Sequence, residues 1–321
     1  MARYVGVDLG ATNVRAAVAD GTATVLAREV RATPRGPTGI AVTEAVLAVV
    51  RDACDAAGVD PADVDAAAVG SMGPLDLTEG AVDGPPNLPD AVDRIPLTGP
   101  LRNLLDADVR LHNDAVAGVI GERFFSDRTP DDMVYLTVSS GIGAGVTVDG
   151  HVLSGWDGNA GEVGHMVVDP AGRMRCGCGR AGHWEAYCSG DNLPLYAADL
   201  HDGEPTALAV DDPDLTAADV YALAGEDAFV DRVLDEVGRW NAIGVTNLVQ
   251  AFAPLVVYVG GAVALNNPAA VLDPVRERLP DLVFANVPDL RLTTLGDDAV
   301  VLGALASAMT DGTGDRSRLR S

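Results

Sequence analysis

Between Gly161 and Glu185 the chain carries Gly161-Glu162-Val163-Gly164-His165 and then Cys176-Gly177-Cys178-Gly179-Arg180-Ala181-Gly182-His183-Trp184-Glu185. Two thiolates and two imidazoles form a tetrahedral zinc donor set, with Zn–S bonds of about 2.3 Å and Zn–N bonds of about 2.0–2.1 Å. Protein donors would fill all four positions, so such a metal would pin a loop and activate no water. The pinned loop bears Glu162 and Glu185, carboxylates of the kind that accept hydrogen bonds from sugar hydroxyls. The competing use of the cysteine pair is a Cys176–Cys178 disulfide, but a C-x-C bridge is strained. Lone histidines are more often structural than ligating; the neighbouring cysteines reverse that prior.

A second constellation is His112-Asn113-Asp114-Ala115. Asp114 falls where a strand gives way to a helix. A carboxylate there can take the proton of a substrate hydroxyl as its oxygen attacks phosphorus, with Asn113 orienting the same substrate through its amide. The alternative is that Asn-Asp merely caps the helix.

Two glycine turns complete the set. In Asp8-Leu9-Gly10-Ala11-Thr12-Asn13 a tight hairpin would aim backbone N–H groups and the Thr12 hydroxyl at a phosphate, with Asp8 positioning Mg²⁺ through water. Ser140-Gly141-Ile142-Gly143-Ala144-Gly145 is similar, since glycine lets the backbone approach an anion. Together the turns would grip a triphosphate from two sides. No Walker sequence is present. Neutralisation therefore falls to Mg²⁺, backbone N–H groups and an arginine that the sequence does not single out.

The elements that must position these residues read as α/β. Strands are expected at Tyr4–Val7, Val14–Ala19, Thr24–Val30, Asp65–Gly70, Val109–His112, Met133–Ser139, Ala144–Val148 and Leu255–Val259. Helical spacing covers 38–57, with Thr38 as N-cap, then a start near Asp114, most of 216–252, and a stretch near 300–309. Residues 73–100 read as one long irregular segment, and the tail to Ser321 as frayed. Both glycine turns lead into a strand, which argues against a dinucleotide fingerprint and hints at an internal duplication.

Composition narrows the class. The chain has 321 residues, enough for two domains, and nearly half are hydrophobic. Acidic residues number 47 and basic ones 22, for a formal charge of −25, and lysine is absent. Such a surface repels nucleic acid and anionic membranes. We read it as adaptation to high salt, where a Debye length of about 3 Å screens self-repulsion. A cytoplasmic enzyme without signal peptide or membrane span is expected.

At these motifs the chain resembles the ROK family (repressors, open reading frames and sugar kinases), and its glucokinase branch most of all. The likeness spans roughly residues 4–310, with the motifs in the family's order. It implies two ribonuclease-H-like (actin-like ATPase) α/β domains with the active site in the cleft between them. Residues 1–113 plus about 299–311 would form the small domain, and 114–298 the large one. It further implies Asp114 as catalytic base and ATP with Mg²⁺ on Asp8, Gly10, Ala11, Thr12, Asn13, Ser140, Gly141, Gly143 and the Gly260-Gly261 turn. A hexose would meet Asn113, Asp114, Glu162, His165 and Glu185, joined by Asn87 of Pro86-Asn87-Leu88-Pro89. Structural Zn²⁺ would rest on His165, Cys176, Cys178 and His183, with His165 offering its other ring nitrogen to the sugar. The family usually has cysteine where this chain has His183, so Cys188 stands as a substitute ligand. Ser71-Met72-Gly73-Pro74 also departs from the family's Pro-Gly pair and leaves the hexose open among glucose, fructose, mannose and N-acetylated amino sugars. A homodimer or homotetramer is implied. A repressor would need a basic reading helix ahead of Asp8, where only seven residues stand.

Overall fold

A computed structural model describes residues 2–85 and 87–319, so Met1, Pro86, Arg320 and Ser321 lie outside the described residues. The chain order is β1 (Arg3–Leu9), β2 (Asn13–Asp20), β3 (Val25–Ala32), α1 (Gly39–Ala57), β4 (Ala66–Ser71), β5 (Leu75–Asp76), β6 (Ala81–Asp83), β7 (Arg94–Pro96), α2 (Thr98–Leu105), β8 (Asp108–Asn113) and α3 (Asp114–Phe125). There follow β9 (Met133–Val138), β10 (Ile142–Val148), β11 (His151–Val152), α4 (Glu185–Cys188), α5 (Leu193–Leu200), α6 (Ala217–Ala222) and α7 (Ala228–Phe252). The chain closes with β12 (Val256–Gly260), α8 (Ala262–Asn266), α9 (Pro268–Leu282), β13 (Asp289–Leu292) and α10 (Ala299–Thr310).

Two five-stranded sheets share one plan. The first runs β3-β2-β1-β4-β8 and the second β11-β10-β9-β12-β13. In each, the third strand in spatial order pairs in parallel with the fourth, and the fourth with the fifth. This repetition is the duplication at which the two glycine turns hinted. The segment 73–100 is more ordered than its composition suggests. It contains the three-stranded sheet β5-β6-β7 and the start of α2, built from strands of only two or three residues that no period-2 pattern can register.

The chain forms two compact units. One holds residues up to Asp131, Gly145–Gly161 and Asp298 onward; the other holds Asp132–Ala144 and Glu162–Asp297. The expected boundary at Asn113/Asp114 thus falls later, after Asp131. The reason is packing: α3 lies against α10, so close that a Cβ on Gly303 would stand 1.8 Å from the Ala117 carbonyl oxygen. In the first unit Val5, Val7 and Leu9 of β1 share a core with Val42, Val46, Val49, Val50 and Ala53 of α1, whose i, i+4, i+7, i+8 spacing makes one apolar stripe. Helix α1 begins after Thr38, whose backbone is extended but whose side chain makes no cap hydrogen bond, and ends at Gly58 in the left-handed region (φ 66°). Among the described residues no helix is long and apolar enough to cross a membrane.

Candidate functional site

In the first unit the chemistry gathers at strand ends. Asp8 lies near the end of β1, buried at 8% exposure. Its hairpin register sets it opposite Arg15, whose Nη1 lies 3.3 Å from Asp8 Oδ2. Burial pushes the Asp8 carboxyl up to about 7, with Arg15 pulling the other way and the charges of Asp114 and Asp298 adding to the rise. Arg15 is a cation beside the turn that the sequence did not single out; its signal is the cross-strand pairing across the turn. The turn itself closes through Gly10 N–H donating to the Asn13 carbonyl (3.0 Å), and Thr33 hydroxyl donates to the Gly10 carbonyl (2.7 Å). Ala11 packs partly buried against the core, and Thr12 is exposed.

Strand β8 delivers Asn113 and Asp114 to the N-terminus of α3. Asn113 Oδ1 accepts the Ala115 N–H (2.9 Å), and Asp114 Oδ1 accepts the same N–H (2.7 Å). The cap reading of Asn113 therefore holds, and it leaves Asp114 in the first turn, where the helix dipole favours an anion. Asn113 also lines a cavity of about 300 Å³ in this unit, together with Thr98, Arg102, Leu111, Ser154 and Gly158. Asn87 is exposed on the loop between β6 and β7.

In the second unit His165, Cys176, Cys178 and His183 bring one ligand atom each within 4.8 Å of one another. Cys176 Sγ lies 3.6 Å from His165 Nδ1, and Cys178 Sγ lies 3.3 Å from His183 Nδ1. Donors on a tetrahedral metal at the bond lengths above stand about 3.3–3.8 Å apart, the spacing of these two cysteine–histidine pairs, and two sulfurs with two ring nitrogens are a donor set of the zinc type. Both cysteines are free thiols. Cys188 is buried elsewhere, its Sγ facing the Val237 carbonyl of α7 at 3.5 Å. The ring of His165 presents Nδ1 to Cys176 and Nε2 to Glu162 Oε2 at 3.8 Å.

Glu185 ties this cluster to the second glycine turn. Its Oε1 lies 3.5 Å from Cys176 Sγ, while its Oε2 accepts the Ile142 N–H at 3.0 Å. Trp184 anchors it from behind, fully buried and donating through Nε1 to Asn241 Oδ1 of α7 (2.9 Å). Tyr187 fixes the cysteine loop from the other side: its hydroxyl donates to Asp169 Oδ2 (2.6 Å) and accepts the Met174 N–H (3.0 Å). Glu162 is half-exposed, yet desolvation of its carboxylate raises its pKa; the His165 charge lowers it and Glu185 raises it further. The Ser139–Gly143 turn is also held by Gly190 N–H to the Ser139 carbonyl (2.7 Å) and Asp191 N–H to the Ser140 carbonyl (3.2 Å). Gly141 and Gly143 are half-buried and Ser140 is exposed. Asp191 is a residue the sequence reading missed. Burial and then the Glu185 charge raise its pKa, and only the fold brings it to the turn. Gly260 ends β12, and Gly261 follows with φ 88°; a Cβ there would stand 2.5 Å from the Val138 carbonyl oxygen.

Comparison with known proteins gives these residues a setting. The chain is 38% identical to a glucokinase from Pyrobaculum calidifontis over 309 residues, covering 96% of this chain and 95% of that one. Its fold matches the crystal structure of a ROK hexokinase from Thermus thermophilus with a TM-score of 0.79 at 35% identity, covering 95% and 97% of the two chains. A ROK family glucokinase from Streptomyces griseus, solved in complex with glucose and AMPPNP, matches with a TM-score of 0.76 at 29% identity, covering 95% and 99%. With the ROK family profile matching residues 4–311, the chain belongs to the ROK family.

Proposed function

We propose that the chain transfers the γ-phosphate of ATP to a hexose hydroxyl, D-glucose giving glucose 6-phosphate. The observation that carries this reading is the bridge made by Glu185. One of its oxygens meets the four-donor cluster, the other a backbone N–H of a glycine turn. A sugar-type carboxylate, a metal-type loop and a phosphate-type turn thus form one connected unit. Glucokinases and a ROK hexokinase are among the relatives that match over nearly the whole chain, which supports the same reading.

In this assignment Asp114 accepts the proton of the attacking hydroxyl. The new bond joins that oxygen to the γ-phosphorus, the bond from phosphorus to the β,γ-bridging oxygen breaks, and ADP leaves. Asn113, Glu162, His165 and Glu185 hold sugar hydroxyls, with Asn87 as a further candidate. Asp8, Gly10 to Asn13, Ser140, Gly141, Gly143 and the Gly260-Gly261 turn serve the nucleotide and its metal. Mg²⁺, when bound, neutralises charge on the phosphates. His165, Cys176, Cys178 and His183 would hold a structural Zn²⁺, whose task is to fix the loop bearing Glu162 and Glu185.

The test is ADP release by the purified chain in high salt with Mg²⁺ and ATP against a panel of hexoses. Release with glucose and its loss in Asp114→Asn are expected. Release with another hexose moves the specificity and keeps the reaction; no release with any hexose removes the kinase.

A further inference from the structure

Trp156 stands 95% exposed, the most exposed large hydrophobic side chain described. Burying a side chain of this size brings a large apolar gain, so a ligand face laid against the indole would be held by it. Its loop is a built feature. Ala160 N–H donates to the Ser154 carbonyl (3.1 Å) and closes the loop at its base. Gly155 (φ 73°) and Gly158 (φ 84°) bracket the indole, both in the left-handed region where glycine turns most freely. Gly158 rests on Leu77, so closely that a Cβ would stand 2.4 Å from Leu77 Cδ1. Ser154 and Gly158, the residues two before and two after Trp156, both line the cavity of about 300 Å³ that Asn113 also lines. Trp156 is not itself among its walls. The loop that carries it joins two residues of the cavity wall, its base closed by the Ala160–Ser154 hydrogen bond and its crown flanked by two glycines with positive φ.

We propose that Trp156 is a cover for bound hexose: the crown of the 154–160 loop turns inward and lays the indole on the C–H face of the sugar. This deepens the kinase reading and rests on it for the identity of the ligand. A pyranose is suited to such a cover, because its equatorial hydroxyls leave an apolar face that side-chain carboxylates and amides do not satisfy. Trp156 is then a specificity residue that touches substrate and takes no part in proton transfer.

The chain has three tryptophans, and the other two are shielded: Trp184 is fully buried and Trp240 half-buried with its Nε1 bonded to the Tyr196 hydroxyl. Acrylamide quenching of the wild type, minus that of Trp156→Phe, therefore reports position 156 alone. With D-glucose and no nucleotide, the 156 signal is expected to lose quenching and shift to the blue. In steady-state assays Trp156→Ala is expected to raise the hexose KM about tenfold with kcat within about twofold, and Trp156→Phe to restore most of the loss. Glucose turnover by the wild type without shielding and without a KM change in Trp156→Ala would overturn the cover and leave the kinase intact. Shielding by hexose without turnover would keep the cover and remove the reaction. Shielding that follows protein concentration and ignores sugar would make Trp156 a contact between copies, and would overturn the cover as well.

Discussion

The two glycine turns occupy the same place in repeated sheets, β1 to β2 and β9 to β10, yet they are built on different electrostatics. The first places a buried carboxylate, Asp8, two residues before its glycine and answers it with Arg15. The second has Ser139 at that place and no charge of its own; its charge comes from a distant residue, Glu185, which accepts the Ile142 N–H. The first turn therefore takes its charge from within its own hairpin, whereas the second takes it from a loop that also carries the histidine–cysteine cluster. One scaffold carries a buried carboxylate in one copy and a four-donor histidine–cysteine cluster in the other.

The hardest test of this division is at the base. Asp114→Asn keeps the cap, because Asn113 still accepts the Ala115 N–H, so folding should be retained. Loss of a general base costs about 10²–10⁴ in kcat. A variant with wild-type turnover would take the chemistry away from the first unit.

Asp8 offers the next largest effect. Its carboxyl titrates near 3.8 in the unfolded chain and near 7 in the folded one. A carboxyl raised in this way favours the folded state at acid pH. As pH climbs from 4 to 7 the unfolded chain ionises first, and that contribution is lost, on the order of 3 kcal/mol by pH 7. Denaturant midpoints in Mg²⁺-free buffer at constant salt should therefore fall less steeply through this window for Asp8→Asn than for wild type. Parallel profiles would mean that the carboxylate is not desolvated as the fold implies. Ser139→Ala should leave the slope alone, because the serine that stands where the first turn has Asp8 does not titrate.

These contrasts explain what could be read from sequence. Asn113-Asp114 was legible because a cap and a first-turn carboxylate are local chemistry, decided within three residues. The glycine turns were legible because each follows a short, mostly apolar strand-like segment, and α1 because its apolar stripe repeats at helical spacing. Arg15 was not legible, since its role depends on which residue faces it across the hairpin. Glu185 was picked out as a sugar carboxylate, but its bond to Ile142, 43 residues away, belongs to tertiary structure. Helix α9 went unread because Pro274 and Pro280 sit inside it as apparent breakers. Sequence left His183 and Cys188 as rivals for the cluster. Burial separates them, because Cys188 lies on the face of α4 that packs against α7.

The cluster gives the third test. Cys176→Ser or Cys178→Ser should lower bound zinc below one per chain and raise the hexose KM about 10–100-fold, with a smaller change in the KM for ATP. Elemental analysis and steady-state kinetics on the same preparation check both halves. Unchanged metal content with unchanged KM would detach the loop from the sugar and erase the contrast between the turns.

The finest test compares the glycines directly. At Gly141 a Cβ would stand 2.7 Å from Glu185 Oε2, closer than side-chain contacts allow, so the carboxylate must give way and release the Ile142 N–H. At Gly10 the nearest atom to such a Cβ is the Asn13 carbonyl oxygen at 3.3 Å, which needs to yield only a few tenths of an ångström. A hydrogen bond to a charged group is worth about 1.5–3 kcal/mol, so Gly141→Ala should raise the hexose KM about tenfold or more. Gly10→Ala should move it by about twofold or less, because no sugar-type carboxylate touches that turn. Varying hexose and ATP separately in both variants distinguishes a displaced Glu185 from a general loss of phosphate contacts. Equal penalties on the hexose KM would mean that the second turn does not depend on Glu185, and the two copies would then work alike.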